Sequence, residues 1–256
     1  MSFDVPGDAY GRFMGRYSEP LADQYVVLVG VRPDQRVLDV GCGPGVLTSR
    51  LVDRCGAERV AAVDPSASFV DAARSRLPGV DVRQAAAESL PFPDDSFDLC
   101  LAQLVVHFMA DPVAGLREMG RVAEPGGLVS ASVWDHTTDT GPLSPFWRAA
   151  RDVDPAAPGE AELAGSREGH LAELAEAAGL EDVSSTSLTV RVAFATFEDW
   201  WAPYLLGVGT TGDFMQTLDD EHRRAIERRC RETLPAAPFE QEARAWVVLA
   251  RAPASS

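Results

Sequence analysis

The chain has 256 residues, enough for one large domain carrying an elaborated cap, and 46% of them are hydrophobic, enough for a proper core. Its formal net charge of −16 sets DNA and RNA at a disadvantage as substrates, since a strongly acidic surface repels phosphate backbones. No apolar run reaches the length of a signal peptide or a membrane span, and the cysteines at 42, 55, 100 and 230 form no C-x-x-C pair, so the sequence predicts a cytoplasmic protein with reduced thiols and no metal site.

The first predicted element is a helix or helix pair over 8–30, with Leu21, Tyr25, Leu28 and Val29 at helical spacing. From there strands and helices alternate. A strand at 36–40 leads into a helix at 46–55. A second strand at 59–63 leads into a helix at 66–77, with Ser66 as its N-cap. Strands follow at 80–84 and 97–103, then a helix at 111–122 with Pro112 in its first turn, a Pro-Gly-Gly turn at 125–127 and a strand at 128–133. This alternation predicts an α/β fold built on a doubly wound sheet. Regularity lapses over 135–165, a Pro-, Gly-, Thr- and Asp-rich stretch. A helix is expected at 170–178, a strand at 183–192, aromatic-rich helices over 194–236 and a final strand at 243–250. The Arg cluster at 223–231 is interleaved with acidic residues and reads as a solvated helix face.

The chemistry concentrates at the ends of the predicted strands. Residues 36–45 read R-V-L-D-V-G-C-G-P-G, an apolar run ending on Asp39 and Val40 and passing into Gly41, Cys42, Gly43 and Gly45. Glycine lets the backbone turn sharply and lets a ligand lie against it, and the following helix points its first N–H groups back at the loop. A dinucleotide fingerprint needs a small residue where this chain has Val46, which speaks against a nicotinamide or flavin site. Asp64, at the end of the second strand, is placed to accept both hydroxyls of a ribose, with Pro65 and Ser66 beside it.

This stretch closely resembles the first motif of the class I S-adenosylmethionine-dependent methyltransferases, often written V-L-D-x-G-C-G-x-G. Residues 86–98, A-A-E-S-L-P-F-P-D-D-S-F-D, resemble the D-A-E-x-L-P-F-P-D-x-S-F-D segment of many small-molecule members of the methyltransferase domain 11 kind. Residues 117–127 resemble the family's R-E-x-x-R-V-L-x-P-G-G element, and Tyr10–Ser18 resembles the opening of one bacterial subgroup, whose first helices close over the cofactor.

The resemblance implies a Rossmann-like seven-stranded sheet with an added helical cap, S-adenosyl-L-methionine as methyl donor and S-adenosyl-L-homocysteine as product. It assigns Asp39, Gly41, Cys42 and Gly43 to the cofactor loop and Asp64, Pro65 and Ser66 to the ribose side. The family's adenine-binding Asp is replaced here by Ala86, leaving the adenine to the backbone of Ala87 and to Glu88. Gln103, Leu104 and His107 fall where the reacting methyl should lie, with His107 the candidate catalytic residue and His136 the other candidate base. Tyr10 and Arg16 belong to the closing segment, Arg16 as a fork for the methionyl carboxylate.

The division expected is one methyltransferase domain over 1–256: an N-terminal helical cap at 1–30, a cofactor-binding core at 31–135, and cap insertions at 136–165 and 194–236 whose aromatic residues Phe194, Phe197, Trp200, Trp201 and Tyr204 are either the ordinary core of the excursion or the wall of an apolar acceptor pocket. The partner expected is a small-molecule methyl acceptor with an O, N or C nucleophile, with neither nucleic acid nor membrane; a homodimer is compatible with the sequence. A non-catalytic S-adenosylmethionine-binding protein and a nucleotide-dependent oxidoreductase remain as alternatives.

Overall fold

A computed structural model describes residues 13–207 and 209–254. Tyr10 and the start of the N-terminal motif lie outside the described residues. In chain order the elements are α1 (Gly15–Leu28), β1 (Val37–Val40), α2 (Val46–Cys55), β2 (Val60–Asp64), α3 (Ala67–Arg76), β3 (Asp81–Gln84), β4 (Phe97–Gln103), α4 (Pro112–Val122), β5 (Ala123–Trp134), α5 (Ser144–Val153), α6 (His170–Ala177), β6 (Glu181–Phe194), α7 (Phe197–Trp201), α8 (Gly209–Thr217), α9 (Asp220–Thr233) and β7 (Phe239–Arg251).

The seven strands form one sheet in the order β3-β2-β1-β4-β5-β7-β6. β1 to β5 are mutually parallel, with Val37 opposite both Val60 and Leu99. β7 inserts antiparallel between β5 and β6, with Val247 opposite Ser132 and Thr186. The sheet is therefore mixed: the alternation predicts parallel pairing, but the last two strands are joined through the 195–238 excursion, so β7 returns beside β6 in the opposite sense. Every residue of β1 and β2 is buried, as expected of central parallel strands covered on both faces. One face holds α4 and α6, whose Leu116, Met119, Leu171 and Ala175 meet Leu38, Val63 and Cys100. The other holds α1 and α2, with Tyr25, Leu47 and Leu51 against Val37, Leu99 and Leu101.

Local signals fix several ends. Ser66 caps α3 through the N–H of Phe69, and Asp111 caps α4 by accepting from Ala114 N–H at 2.9 Å, with Pro112 in the first turn. At 125–127 the expected turn is part of β5, because Gly126 N–H donates to Ala252 O and Ala252 N–H donates back to Gly127 O. Helix α5, absent from the sequence reading of 135–165, buries Phe146 and Trp147.

Residues 135–165 and 194–236 lie along the β6–β7 half of the molecule and share a hydrophobic core with α1 and Trp134. Its centre is aromatic: Tyr204 stacks on Phe146 with centroids 4.9 Å apart, and its ring meets Trp200 at 4.7 Å and Phe13 at 4.9 Å. Gln241 of β7 ties the cluster together. Its Oε1 accepts from Trp200 Nε1 at 2.8 Å and from Tyr17 OH at 2.9 Å, while its Nε2 donates to Pro142 O.

Candidate functional site

In open α/β sheets a ligand sits beyond the carboxyl ends of the strands, where the strand order reverses. Here the reversal falls between β1 and β4. A cavity of about 470 Å³ lies over that point, lined by residues following β1, β2, β3 and β4. Asp39, Gly41, Cys42, Gly43, Asp64, Pro65, Ser66, Ala86, Ala87, Glu88, Gln103, Leu104 and His107 all line it. Sequence reasoning placed these residues in one site from four separate segments, and the fold brings them together.

The floor is the turn after β1. Gly41 and Cys42 both donate their N–H groups to Val63 O, which holds the turn against β2. Gly41 has φ +72°, and a Cβ there would come within 2.2 Å of Val105 Cγ2, so only glycine fits. Gly45, at φ +87°, caps α2 and aims the helix N-terminus at the turn.

Two carboxylates underlie this turn. Asp39 is buried and accepts from Thr48 Oγ1 at 2.6 Å. Burial pushes its carboxyl up to about 7, opposed by Thr48 and reinforced by Asp64. Asp64 accepts from Gly43 N–H and Ser66 N–H, each at 2.9 Å. Burial raises its pKa as well, and the two backbone donors act against that. Asp64 is thus also a clamp between the β1 and β2 loops, a structural part that its position in the sequence did not reveal. Glu88 Oε1 accepts from Asp111 N–H at 3.1 Å, fixing the segment after β3 to the start of α4. Cys42 is buried, and burial raises its thiol far above the ordinary range, so it serves as a small apolar wall rather than a nucleophile.

On the β4 side, Gln103 Nε2 donates to Ser18 O at 3.1 Å. Gln103 Oε1, Ser18 Oγ and His107 Nδ1 are buried without hydrogen-bond partners among the described residues, and all three side chains belong to the cavity wall. Burial and then the charge of His136 push the His107 imidazole down to about 3, so it is neutral across the physiological range. As the candidate base, His107 is therefore poorly equipped to hold a proton. It is suited to a neutral hydrogen-bonding part.

Arg16 is placed elsewhere. Its guanidinium forks onto Asp199 of α7 at 2.6 and 3.1 Å and lies over the Phe194 ring. It is not part of the cavity wall, because α1 turns this residue toward the cap; the expected grip on a methionyl carboxylate gives way to a tie between α1 and α7. Trp200, Trp201, Tyr204, Phe194 and Phe197 are likewise absent from the wall, since they pack on one another in the cap core. The cap does reach the cavity, through other residues. A smaller cavity of about 50 Å³ shares Leu104, His107 and Phe108 with the first and is closed by His136, Leu143, Glu160, Thr210 and Thr211. Ser18 closes the N-terminal motif but had no role assigned to it, and Thr48, Glu160 and Thr211 carried no motif; only Thr48, one helical turn beyond the glycines, had a sequence position from which a partner for Asp39 is readable. Among the described residues no group of His, Cys, Asp and Glu is arranged to hold a metal ion, and no helix is long and apolar enough to cross a membrane.

The fold is a Rossmann-like α/β architecture with its cavity where the strand order reverses. Residues 38–131 match the methyltransferase domain family. Over 110 aligned residues the chain is 41% identical to the ubiquinone/menaquinone biosynthesis C-methyltransferase UbiE of Stenotrophomonas maltophilia, covering 40% of this chain and 44% of that protein. A longer match, 33% over 152 residues and 57% of each chain, is to the malonyl-[acyl-carrier protein] O-methyltransferase of Serratia marcescens. The chain thus spans about half the length of these curated relatives. The YcgJ protein of Bacillus subtilis superimposes with a TM-score of 0.61 at 21% identity over 91% of this chain and 98% of its own, a likeness of fold alone.

Proposed function

We propose that this chain transfers a methyl group from S-adenosyl-L-methionine to a small-molecule acceptor, releasing S-adenosyl-L-homocysteine. One observation carries the reading: the 470 Å³ cavity at the strand-order reversal joins the glycine turn, Asp64 and Glu88 on one side to Gln103 and His107 on the other, and meets a second cavity under the cap at Leu104, His107 and Phe108. The residues present fit the donor. Asp64 keeps lone pairs for ribose hydroxyls beyond the two it gives to Gly43 and Ser66. The Ala87 backbone and Glu88 border the adenine side. The unpaired Gln103 Oε1 and Ser18 Oγ answer the methionyl ammonium, which needs acceptors.

When bound, S-adenosylmethionine supplies a methyl already activated by the sulfonium charge. The chain's own task is then to orient two reactants and exclude water. The buried strand ends and the apolar wall at Leu104, Val105 and Met109 serve that purpose. The cap residues supply the acceptor side, and an acidic chain with neither Lys nor Arg among the described lining residues of the two cavities favours a small molecule over a nucleic acid. A cytoplasmic setting accords with four buried free thiols.

Calorimetry tests the binding half. Both S-adenosylmethionine and S-adenosylhomocysteine should bind one site, and saturation at 100 times the dissociation constant should add about 2.7 kcal/mol to stability. Absence of heat for both at millimolar concentration overturns the reading. Binding without labelled-methyl transfer to any of a broad metabolite panel would instead mark a cofactor-binding protein that is not an enzyme.

A further inference from the structure

The smaller cavity contains chemistry that the cofactor reading leaves unused. His136 and Glu160, both more than nine-tenths buried, lie in its wall with His136 Nδ1 3.3 Å from Glu160 Oε2. Glu160 is itself held from two directions: Trp147 Nε1 donates to Oε2 at 3.2 Å and Thr210 Oγ1 donates to Oε1. A buried carboxylate with those donors is fixed in place, and it sets a fixed negative charge beside the imidazole. Three further wall residues carry buried polar atoms without partners among the described residues: His107 Nδ1, Trp134 Nε1 and Thr211 Oγ1. Leaving such groups unmet is costly, so their gathering around one cavity points to a polar group that meets them. The remaining wall, at Phe13, Met14, Leu104 and Leu143, is apolar, and none of the described lining residues is Lys or Arg.

The geometry points to His136, oriented by Glu160, as the base that deprotonates an uncharged acceptor whose hydroxyl alone enters the small cavity from the larger one. This rests on the methyl-transfer reading above and names its acceptor class. With Nδ1 holding its proton against Glu160, the Nε2 lone pair is the free basic site. A hydroxyl suits the unmet groups because its oxygen accepts from the Trp134 indole N–H while its proton is donated to a base. In the transfer step the hydroxyl proton passes to His136 Nε2, the oxygen forms the new bond to the methyl carbon, and the carbon–sulfur bond of the sulfonium donor breaks with its electron pair kept by sulfur. Glu160 steadies the imidazolium so formed. His107, whose centroid is 6.1 Å from that of His136, stays neutral between the two cavities. An anionic acceptor is disfavoured: it would meet Glu160 with no cation to balance it.

The charges around His136 agree with this assignment. Burial lowers its pKa, while Glu160 and Asp135 raise it. Asp135 is a carboxylate whose hydrogen bonds from Thr138, Thr137 and Thr140 outweigh its burial, and Arg244 is 4.0 Å from it. His107 is the titratable group facing from the β4 side.

The test uses the full chain and nitrogen-15 and carbon-13 resonances of its histidine rings, with His136 assigned by His136→Gln. In the wild type His136 should carry its neutral proton on Nδ1; an Nε2-protonated ring overturns the proposal without any variant. Glu160→Gln should lower the proton affinity of His136 about tenfold, since an opposite charge in contact is removed. An unchanged His136 titration in folded Glu160→Gln overturns it. Phenol should perturb the His136 ring and the Trp134 indole N–H, while benzoate should not; equal or tighter binding of benzoate also overturns it. With S-adenosylmethionine present, labelled methyl should pass to phenolic or alcoholic probes, and Glu160→Gln should shift the acid limb of kcat to lower pH with little change in KM. Glu160 acts through His136, and a merely structural part would leave that limb in place. The ring measurements need no cofactor. Failure of S-adenosylmethionine to bind therefore defeats the wider reading, whereas an unchanged His136 titration in protein that does bind it defeats this one alone.

Discussion

Residues 37–134 and residues 135–236 build the two sides of the site by different means. In the first region the functional groups are backbone turns and strand-end side chains: the glycine turn, Asp64, the 86–88 segment and Gln103. They sit where β1 to β4 end, so pairing the strands assembles them. In the second region the wall residues His136, Leu143, Glu160, Thr210 and Thr211 come from loops and helix ends. They meet because an aromatic core beneath them packs in one way. A sheet transmits its geometry through a repeating hydrogen-bond register, whereas a cap holds its geometry through side-chain packing. The cofactor side should therefore survive damage to the cap better than the acceptor side survives it.

The largest expected effect probes that asymmetry. Trp200 is fully buried at the centre of the cap cluster, and Trp200→Ala should cost about 3–5 kcal/mol in denaturant unfolding. If the two regions are as separable as their packing implies, S-adenosylhomocysteine affinity in the folded variant should change far less than the His136 ring environment. Equal loss of both would break the distinction.

Gly41→Ala attacks the other side. Overpacking against Val105 and the left-handed backbone should together cost about 2–5 kcal/mol, read as lower stability and lost cofactor binding by calorimetry, with the cap resonances preserved.

Asp64→Ala should weaken S-adenosylmethionine by about 1.5–3 kcal/mol through lost hydrogen bonds to a charged acceptor. It should also lower stability, since Gly43 and Ser66 lose the acceptor that joins their loops. Asp64→Asn retains one oxygen, enough for one of these two amides, and should separate the effects in part: more stable than Asp64→Ala, yet still weak in binding. Identical stabilities for the two variants would show that the clamp contributes nothing.

The most gradual effect is a slope with pH. Asp39 has a folded pKa raised from 3.8 to about 7, so the native state binds the proton more tightly than the unfolded chain. Its contribution to stability is fully present below the unfolded value and is lost as pH rises through the folded one, at most about 1.4 kcal/mol per pH unit across that window. Asp39→Asn should remove this decline, so stability measured at pH 4.5 and at pH 7.5 should differ less than in the wild type. An unaltered difference would mean that Asp39 ionises as easily folded as unfolded.

What the sequence determined by itself was local or short in range. The V-L-D-V run followed by spaced glycines gave a strand and a tight turn, because only glycine accepts the backbone there without a Cβ clash. Ser66 and Asp111 marked helix starts because their side chains satisfy N–H groups three residues on. Asp64, Glu88 and Gln103 were legible as site residues because each stands at a strand end or just beyond it, and parallel strands align such ends on one edge of the sheet. What tertiary structure alone decided lies across long separations. β7 enters antiparallel beside β5, joining residues more than a hundred positions apart, and no local period records that choice. Arg16 turned toward Asp199, 183 residues away, rather than toward the cofactor side. The aromatic residues at 194–204 became the interior of the cap because their apolar area is best buried against one another, leaving its wall to His136, Glu160 and Thr210. Helix α5 and Glu160 lie in a stretch whose Pro and Gly content hid any period, and the partners that fix Glu160, at 147 and 210, meet it only once the cap has closed.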